Sequence, residues 1–305
     1  MDDQHCEERQ THLVCRLLRC RWHPHHRTAL RAVITLEQLQ AGIVLSIDKP
    51  RQWTSFQAVN KIKAVVRNNY GLKKFKIGHA GTLDPLATGL LLVCLGKATK
   101  SIPQLQDGDK VYTGTMVFGA TTPCYDMERA IDRRHPYEHI TKEKVEEAVR
   151  QFVGTIMQTP PMFSAVKIDG KRAYELAREE SEAQQKPTAK PVNVYRFDVI
   201  RFIQSFVPPQ TDLMTELPNP ERHLYDHPQC VIPEGLPAID FRIHCGKGTY
   251  IRSLARDLGE ALGSGAFLAS LRREQVGDYS VDEAIKLEEI SSYLCGENVK
   301  NEDLL

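Results

Sequence analysis

The longest wholly apolar run in the chain is Leu90–Leu95, six residues. A helix that crosses a bilayer needs about 20. The chain must therefore bury its apolar side chains by bringing short amphipathic pieces together, and no span is expected. The N-terminus begins with Asp2 and Asp3 and lacks an apolar stretch of the kind that directs export, so a cytoplasmic protein is expected. A length of 305 residues allows roughly two domains. With 41% apolar and 26% charged residues, collagen-like and wholly disordered chains are excluded. The net charge is +1, from 40 Lys+Arg against 39 Asp+Glu. That total excludes a polycation but not a local basic surface. The eight cysteines are scattered, with no disulfide-framework spacing, and are expected to stay free in a reducing compartment.

Residues 1–40 differ from the rest, holding three of the eight Cys and five of the eleven His. Their Cys15-x4-Cys20-x2-His23-x-His25-His26 string does not match structural zinc templates. They read as a poorly ordered extension. Regular patterning starts near Gly42. Ile43–Ile47 reads as a buried strand, and Ser55 suits the N-cap of a helix whose Phe56, Val59, Ile62 and Val66 recur at helical spacing. Val111–Phe118 reads as a strand with Tyr112, Met116 and Phe118 on one face. Thr141 caps a second helix. Phe163–Ile168 and Val192–Ile203 are strand-like, Asp169-Gly170 is a turn, and Ala173–Glu180 is a short helix. Residues 202–237 hold seven Pro, five acids and one Arg, and read as a loop insertion. Ile239, Phe241, Ile243 and Cys245 alternate as a strand, and Ile251, Leu254, Leu258 and Leu262 mark a helix. Strands and helices intermix without a βαβ rhythm, which points to an α+β fold around a mixed sheet.

Three segments can carry chemistry. Gly78–Gly89 is glycine-rich and holds two titratable side chains, His79 and Asp84. It lacks the Gly-Lys-Ser/Thr of a phosphate-binding loop. Taken alone, Asp84-Pro85 fits a turn and His79 a structural histidine. Tyr112 fits either a core aromatic or a platform on which an extruded base stacks. Cys245–Leu254 joins a strand, a glycine turn and a helix start. There Arg252 sits in the first helical turn, where the helix dipole disfavours a cation, so a carboxylate partner is expected. Residues 49–76 contain eight Lys/Arg and no acid, and 241–273 add six against two acids. Both stretches read as phosphate-facing.

Taken together, these segments resemble the TruB family of tRNA pseudouridine synthases. Gly78–Gly89 is similar to the family's Gly-His-(Thr/Ala)-Gly-Thr-Leu-Asp-Pro-x-Ala-x-Gly signature. Asp48-Lys49-Pro50 through Thr54-Ser55 resembles its first motif, and Lys110-x-Tyr112 its tyrosine motif. Pro160–Lys167 with Gly170, Tyr174 and Ala177-Arg178 resembles a further segment. Gly246–Arg252 resembles the arginine motif, and Leu271-Arg272-Arg273 with Gly277 the last. These six segments span about residues 42–285 in family order.

The resemblance implies a pseudouridine synthase fold, with a mixed, mostly antiparallel central sheet flanked by helices and loops. It implies an isomerase that detaches a uridine at N1 from ribose C1′, turns the base, and rejoins it through C5. Asp84 is then the essential carboxylate, and Arg252 pairs with it. Tyr112 stacks on the base and moves a proton at C1′ or C2′. His79 helps turn the nucleotide out, which an enzyme working on a stacked base requires. Tyr250 lines the pocket, and Lys49, Lys247, Gly81, Thr82 and Lys167 bind substrate. The implied substrate is uridine 55 in the T-arm of tRNA, with no metal or other cofactor and no membrane partner, and the enzyme acts as a monomer. The implied domains are a core at 41–285 and a short tail at 286–305, with the family's RNA-binding PUA domain absent or vestigial. The alternative is an RNA-binding or tRNA-folding protein whose enzymatic activity is lost or secondary. Three features depart from the pattern: Gln52 where glycine is common, the insertion at 202–237, and the extension before residue 41.

Overall fold

A computed structural model describes residues 34–163, 187–208 and 231–296, together with 167–168 and 171–172 as backbone. The zinc string, the helix expected at Ala173–Glu180 and the middle of the insertion lie outside these residues.

Period-two burial makes the first strand: β1 (Ile43–Lys49) turns Leu45, Ile47 and Lys49 inward. A helix follows it, preceded by the shorter α1 (Leu36–Ala41) at the front of the described chain. This second helix, α2 (Ser55–Tyr70), is capped by Thr54 and not by Ser55 as the sequence suggests. The Thr54 side chain accepts from the Gln57 amide, and the Gln57 side chain accepts from the Thr54 amide, a reciprocal capping box. That releases Ser55 for another bond, described below. Ala58, Val59, Ile62, Val65 and Val66 form the buried stripe, while Phe56 falls on its shoulder and is 69% exposed.

The remaining strands of the main sheet are β2 (Ile77–His79), β3 (Thr88–Leu95), β4 (Lys110–Phe118), β5 (Gly154–Gln158), β6 (Lys190–Ile203), β7 (Ala238–Cys245), β8 (Ala266–Val276), β9 (Tyr279–Ser280) and β10 (Ile285–Lys286). The sheet runs β10-β1-β3-β8-β4-β7-β6-β5, with β2 also on β3 and β9 on β8. Only the β1–β10 and β3–β8 pairings are parallel; the rest are antiparallel. This is the mixed α+β architecture expected. Further helices include α3 (Ile102–Asp107), α4 (Lys142–Ala148) and α5 (Ile251–Ala261), the last packed on β8. Among the described residues no helix is long and apolar enough to cross a membrane.

Core packing runs past both expected ends. In α1, Leu39 is fully buried. At the other end Leu287 follows β10, and α6 (Ile290–Cys295) buries Ile290 and Leu294 completely. The Tyr70 hydroxyl lies 2.7 Å from the Ile34 carbonyl and 2.6 Å from the Leu294 carbonyl, sharing its one proton between the two termini. The core therefore begins near Ile34 and includes residues 286–296, where the sequence reading drew it at 41–285. The short α1 and α6 carry too few apolar residues for their periodicity to register. Leu294→Ala is expected to cost about 2–5 kcal/mol of stability. A urea unfolding midpoint unchanged by it would show that α6 is only loosely attached.

The insertion needs a similar correction at its flanks. Phe206, Ile232 and Leu236 pack with Val117, Ala120 and Phe267 in a second apolar cluster. Residues 202–208 and 231–237 thus belong to the folded core.

Candidate active site

Asp84 sits in the loop between β2 and β3, and this loop is pinned from below. The Ser55 hydroxyl, freed from capping, accepts from the Leu83 amide at 2.9 Å and donates to the Leu83 carbonyl at 3.1 Å. The fully buried Lys49 ammonium donates to the carbonyls of Pro50, Trp53 and Pro85. Three acceptors match its three N–H bonds. Burial pulls the Lys49 pKa down to about 7, against the pull of Asp84 in the other direction. Expected to contact substrate, Lys49 instead braces the loop: β1 turns it inward by its register.

A turn beside the loop is strained. Gln52 has φ 66°, a left-handed conformation that costs a non-glycine residue, while its amide donates to the Pro85 carbonyl at 2.8 Å. Gln52→Gly is expected to raise stability by about 0.5–1 kcal/mol, the strain relieved exceeding the added freedom of the unfolded chain. A thermal melt showing a loss would place the strain elsewhere.

Above this base the Asp84 carboxylate meets Arg252, which projects from the first turn of α5. Arg252 Nε lies 2.9 Å from Asp84 Oδ2, and Nη2 donates to Asp84 Oδ1 at 3.1 Å. Two main-chain carbonyls also accept from it. Nη1 donates to the Cys124 carbonyl at 3.1 Å and Nη2 to the Phe163 carbonyl at 2.8 Å. Asp126 brings a second carboxylate, 3.7 Å from Nε. Arg252 is 5% exposed, whereas the Asp84 side chain is 37% exposed. Burial alone would lower the Arg252 pKa; Asp84 and then Asp126 reverse that and raise it. For Asp126, burial outweighs the guanidinium and raises the carboxyl. The unfavourable helix-dipole position of Arg252 is thereby answered by two carboxylates instead of the one expected.

A cleft opens at this pair, lined by Asp84, Leu86, Asp126, Met127, Arg252 and Leu271 among others. Tyr112 does not line it. It belongs to the same buried core cluster as Met116 and Phe118 and is 9% exposed, so no open stacking face is presented. Burial raises the Tyr112 pKa, and the nearby charge of Arg273 opposes the rise. His79 ends β2 with Nδ1 buried and without a partner among the described residues. Burial and then Arg273 lower its pKa, which favours a neutral imidazole. Tyr250 precedes α5, with its amide donating to Gln158 Oε1 and its carbonyl accepting from Gln158 Nε2. Thr82 is exposed, and the Gly81 carbonyl accepts from Arg273. Lys247 is exposed but ion-paired with Asp107. The Lys167 side chain lies outside the described residues.

The two basic stretches part company here. Lys63, Arg67, Lys73, Lys74 and Lys76 are exposed, so 49–76 presents positive charge despite the loss of Lys49. The stretch at 241–273 presents less, keeping Arg242 and Lys247 exposed. Arg252 and Arg273 are buried, Arg272 grips Asp48 through two bonds of 3.0 and 2.9 Å, and Arg256 pairs with Asp257. A count of charges along the chain cannot see that these four cations are already buried or paired. Asp126 is the residue at this cleft that pattern reading missed. Asp126 lies in a loop without periodicity, brought to Arg252 through Tyr125 at φ 59°.

A model of the TruB family pseudouridylate synthase N-terminal domain matches residues 67–251, and one of the tRNA pseudouridylate synthase B C-terminal domain matches 252–305. The chain belongs to the TruB family. Its activity is that class of isomerase, a tRNA pseudouridine synthase. The two TruB models meet between Ile251 and Arg252, inside α5, so they divide one folded unit. The tRNA pseudouridine synthase B of Flavobacterium johnsoniae is 48% identical over 257 residues, 83% of this chain and 96% of the relative. That of Phocaeicola vulgatus is 44% identical, over 85% of this chain and 96% of the relative. A crystal structure of a Cbf5-Nop10-Gar1 complex matches with TM-score 0.55 and 27% identity, over 84% of this chain and 55% of that one. An H/ACA RNP bound to a substrate RNA containing 2'-deoxyuridine shares the fold, with TM-score 0.53 and 24% identity over 88% of this chain and 59% of that one. The chain thus spans little more than half the length of those two solved chains.

Proposed function

We propose that this TruB-family enzyme converts uridine 55 in the T-arm loop of tRNA to pseudouridine after turning the base out of its stack. The observation that carries the reading is the Asp84 carboxylate, half-exposed at a cleft and held from behind by a buried arginine. The reaction breaks the N1–C1′ bond and forms C5–C1′; the hydrogen on C5 leaves as a proton and the freed N1 takes one up. Asp84 acts on the detaching nucleoside, and Arg252 fixes its carboxylate and supplies the opposite charge in a water-poor site. His79, at the end of β2, helps turn the nucleotide out, and Tyr250 borders the bound base. Gly81, Thr82, Lys247 and Lys167 contact substrate. Tyr112 moves a proton at C1′ or C2′ and stacks on the base once RNA binding has opened its ring face. The exposed cations of 49–76 meet phosphates. Lys49 is left out of the contacting set and supports the Asp84 loop.

The test is pseudouridine mapping on unmodified tRNA incubated with the purified protein. Pseudouridine at the T-loop uridine is the expected result. Tight tRNA binding with no pseudouridine would favour an RNA-binding or RNA-folding role instead.

A further inference from the structure

Asp126 has a second task besides facing Arg252. Its Oδ1 accepts from the Glu128 amide at 2.9 Å, a side-chain turn around Met127, which lines the cleft. The loop is also tied to the sheet, because the Tyr125 carbonyl accepts from the Leu268 amide of β8 at 3.0 Å. Just beyond the turn the Arg129 guanidinium lies over the Phe163 ring, its carbon 4.9 Å from the ring centre. Phe163 is in turn fastened to the reacting pair, since its carbonyl accepts from Arg252 Nη2 at 2.8 Å. Arg129 and Phe163 are both half-buried. The contact between them therefore stands one hydrogen bond away from the guanidinium that holds Asp84.

Arg129 differs from the other cations of this region. Arg256 lies over Tyr125 in a similar way, 5.6 Å from the ring centre, but its Nε pairs with Asp257 and its Nη2 donates to the Thr159 carbonyl. Arg252, Arg273 and Lys49 are buried, and Lys247 pairs with Asp107. Among the described residues the Arg129 side chain has its ring contact and no carboxylate within ion-pair reach. The neighbouring acids, Asp126 and Glu128, both bear on Arg252. A guanidinium held on a ring face keeps its fork of N–H donors for an anion, and a phosphate matches that fork. Turning a nucleotide out of its loop carries its flanking phosphates to the edge of the pocket. We propose that Arg129, braced on Phe163, binds one of the two phosphates flanking the extruded uridine and so holds the RNA backbone while the base sits against Asp84. The proposal rests on the reading of the Asp84–Arg252 cleft as the place where that uridine is received.

The test uses unmodified tRNA and the same tRNA with a neutral methylphosphonate in place of the phosphate on the 5′ or on the 3′ side of the T-loop uridine. On unmodified tRNA, Arg129→Gln is expected to raise Kd about 10-fold. It should also flatten the dependence of log Kd on log salt by about 0.7–0.9, the share of one phosphate. With the wild-type protein, one of the two methylphosphonates should weaken binding by a similar factor. On that RNA Arg129→Gln should cost nothing further, because the charge it meets is already gone. Equal losses on all the RNAs, or an unchanged salt dependence, would overturn the proposal and leave Arg129 a mere support for Phe163. Wild-type turnover of the unmodified tRNA is read in parallel. Coupling of Arg129 to one phosphate without any pseudouridine would refute the proposed reaction and not the contact.

Discussion

Asp84→Asn is expected to abolish pseudouridine formation, with a fall in rate of at least about 1,000-fold, while tRNA binding stays within a few-fold of wild type. Asparagine keeps the size of the side chain and an oxygen for Arg252, but it removes the charge. The Leu83 and Pro85 anchors of the loop use main-chain atoms and are untouched by the change. Loss of rate without loss of fold therefore reports chemistry. Rate measurements with saturating tRNA, alongside filter binding, separate the two effects. A variant that retains a tenth of the wild-type rate would show that the carboxylate is not the essential group.

Arg252→Met is expected to have the largest effect on stability, a loss of about 3–5 kcal/mol, together with loss of activity. It leaves the Asp84 and Asp126 carboxylates without their shared cation and orphans the Cys124 and Phe163 carbonyls. Adding Asp126→Asn should recover part of the stability, since it removes one of the two stranded charges. Activity should not return with it. Urea denaturation of the single and double variants gives the coupling. Additive losses would show that Asp126 and Arg252 do not act as a pair.

Much of this was legible in the sequence because the elements carry their own signals. The alternation of Ile239 to Cys245 and the helical spacing from Ile251 to Leu258 became β7 and α5 within a residue or two. Arg252 stands out as a cation placed against a helix dipole, whereas Asp84, which alone fits a turn, stands out only through the family resemblance, and the fold brings the two to 2.9 Å. The residues misread share one cause. Lys49, Arg272 and Arg273 are cations, and a linear chain shows a charge but not its partner. Lys49 points inward by the pleat of β1, Arg272 meets Asp48 two strands away, and Arg273 meets carbonyls of a loop nearly two hundred positions earlier. Asp126 was invisible for the same reason. The capping error at Ser55 was more local, since Thr54 and Ser55 are both good caps and the choice was made by the Leu83 main chain, which claims Ser55.

Tritium release from tRNA carrying tritium at C5 of its uridines tests the central claim most directly. Joining C5 to C1′ expels that hydrogen, whereas binding, folding or base flipping alone leaves it in place. The wild-type protein is expected to release tritium stoichiometrically with the T-loop uridine, and Asp84→Asn to release none. Retention of the label by the wild type, or equal release by the variant, would contradict the assignment of Asp84 as the carboxylate of a pseudouridine synthase.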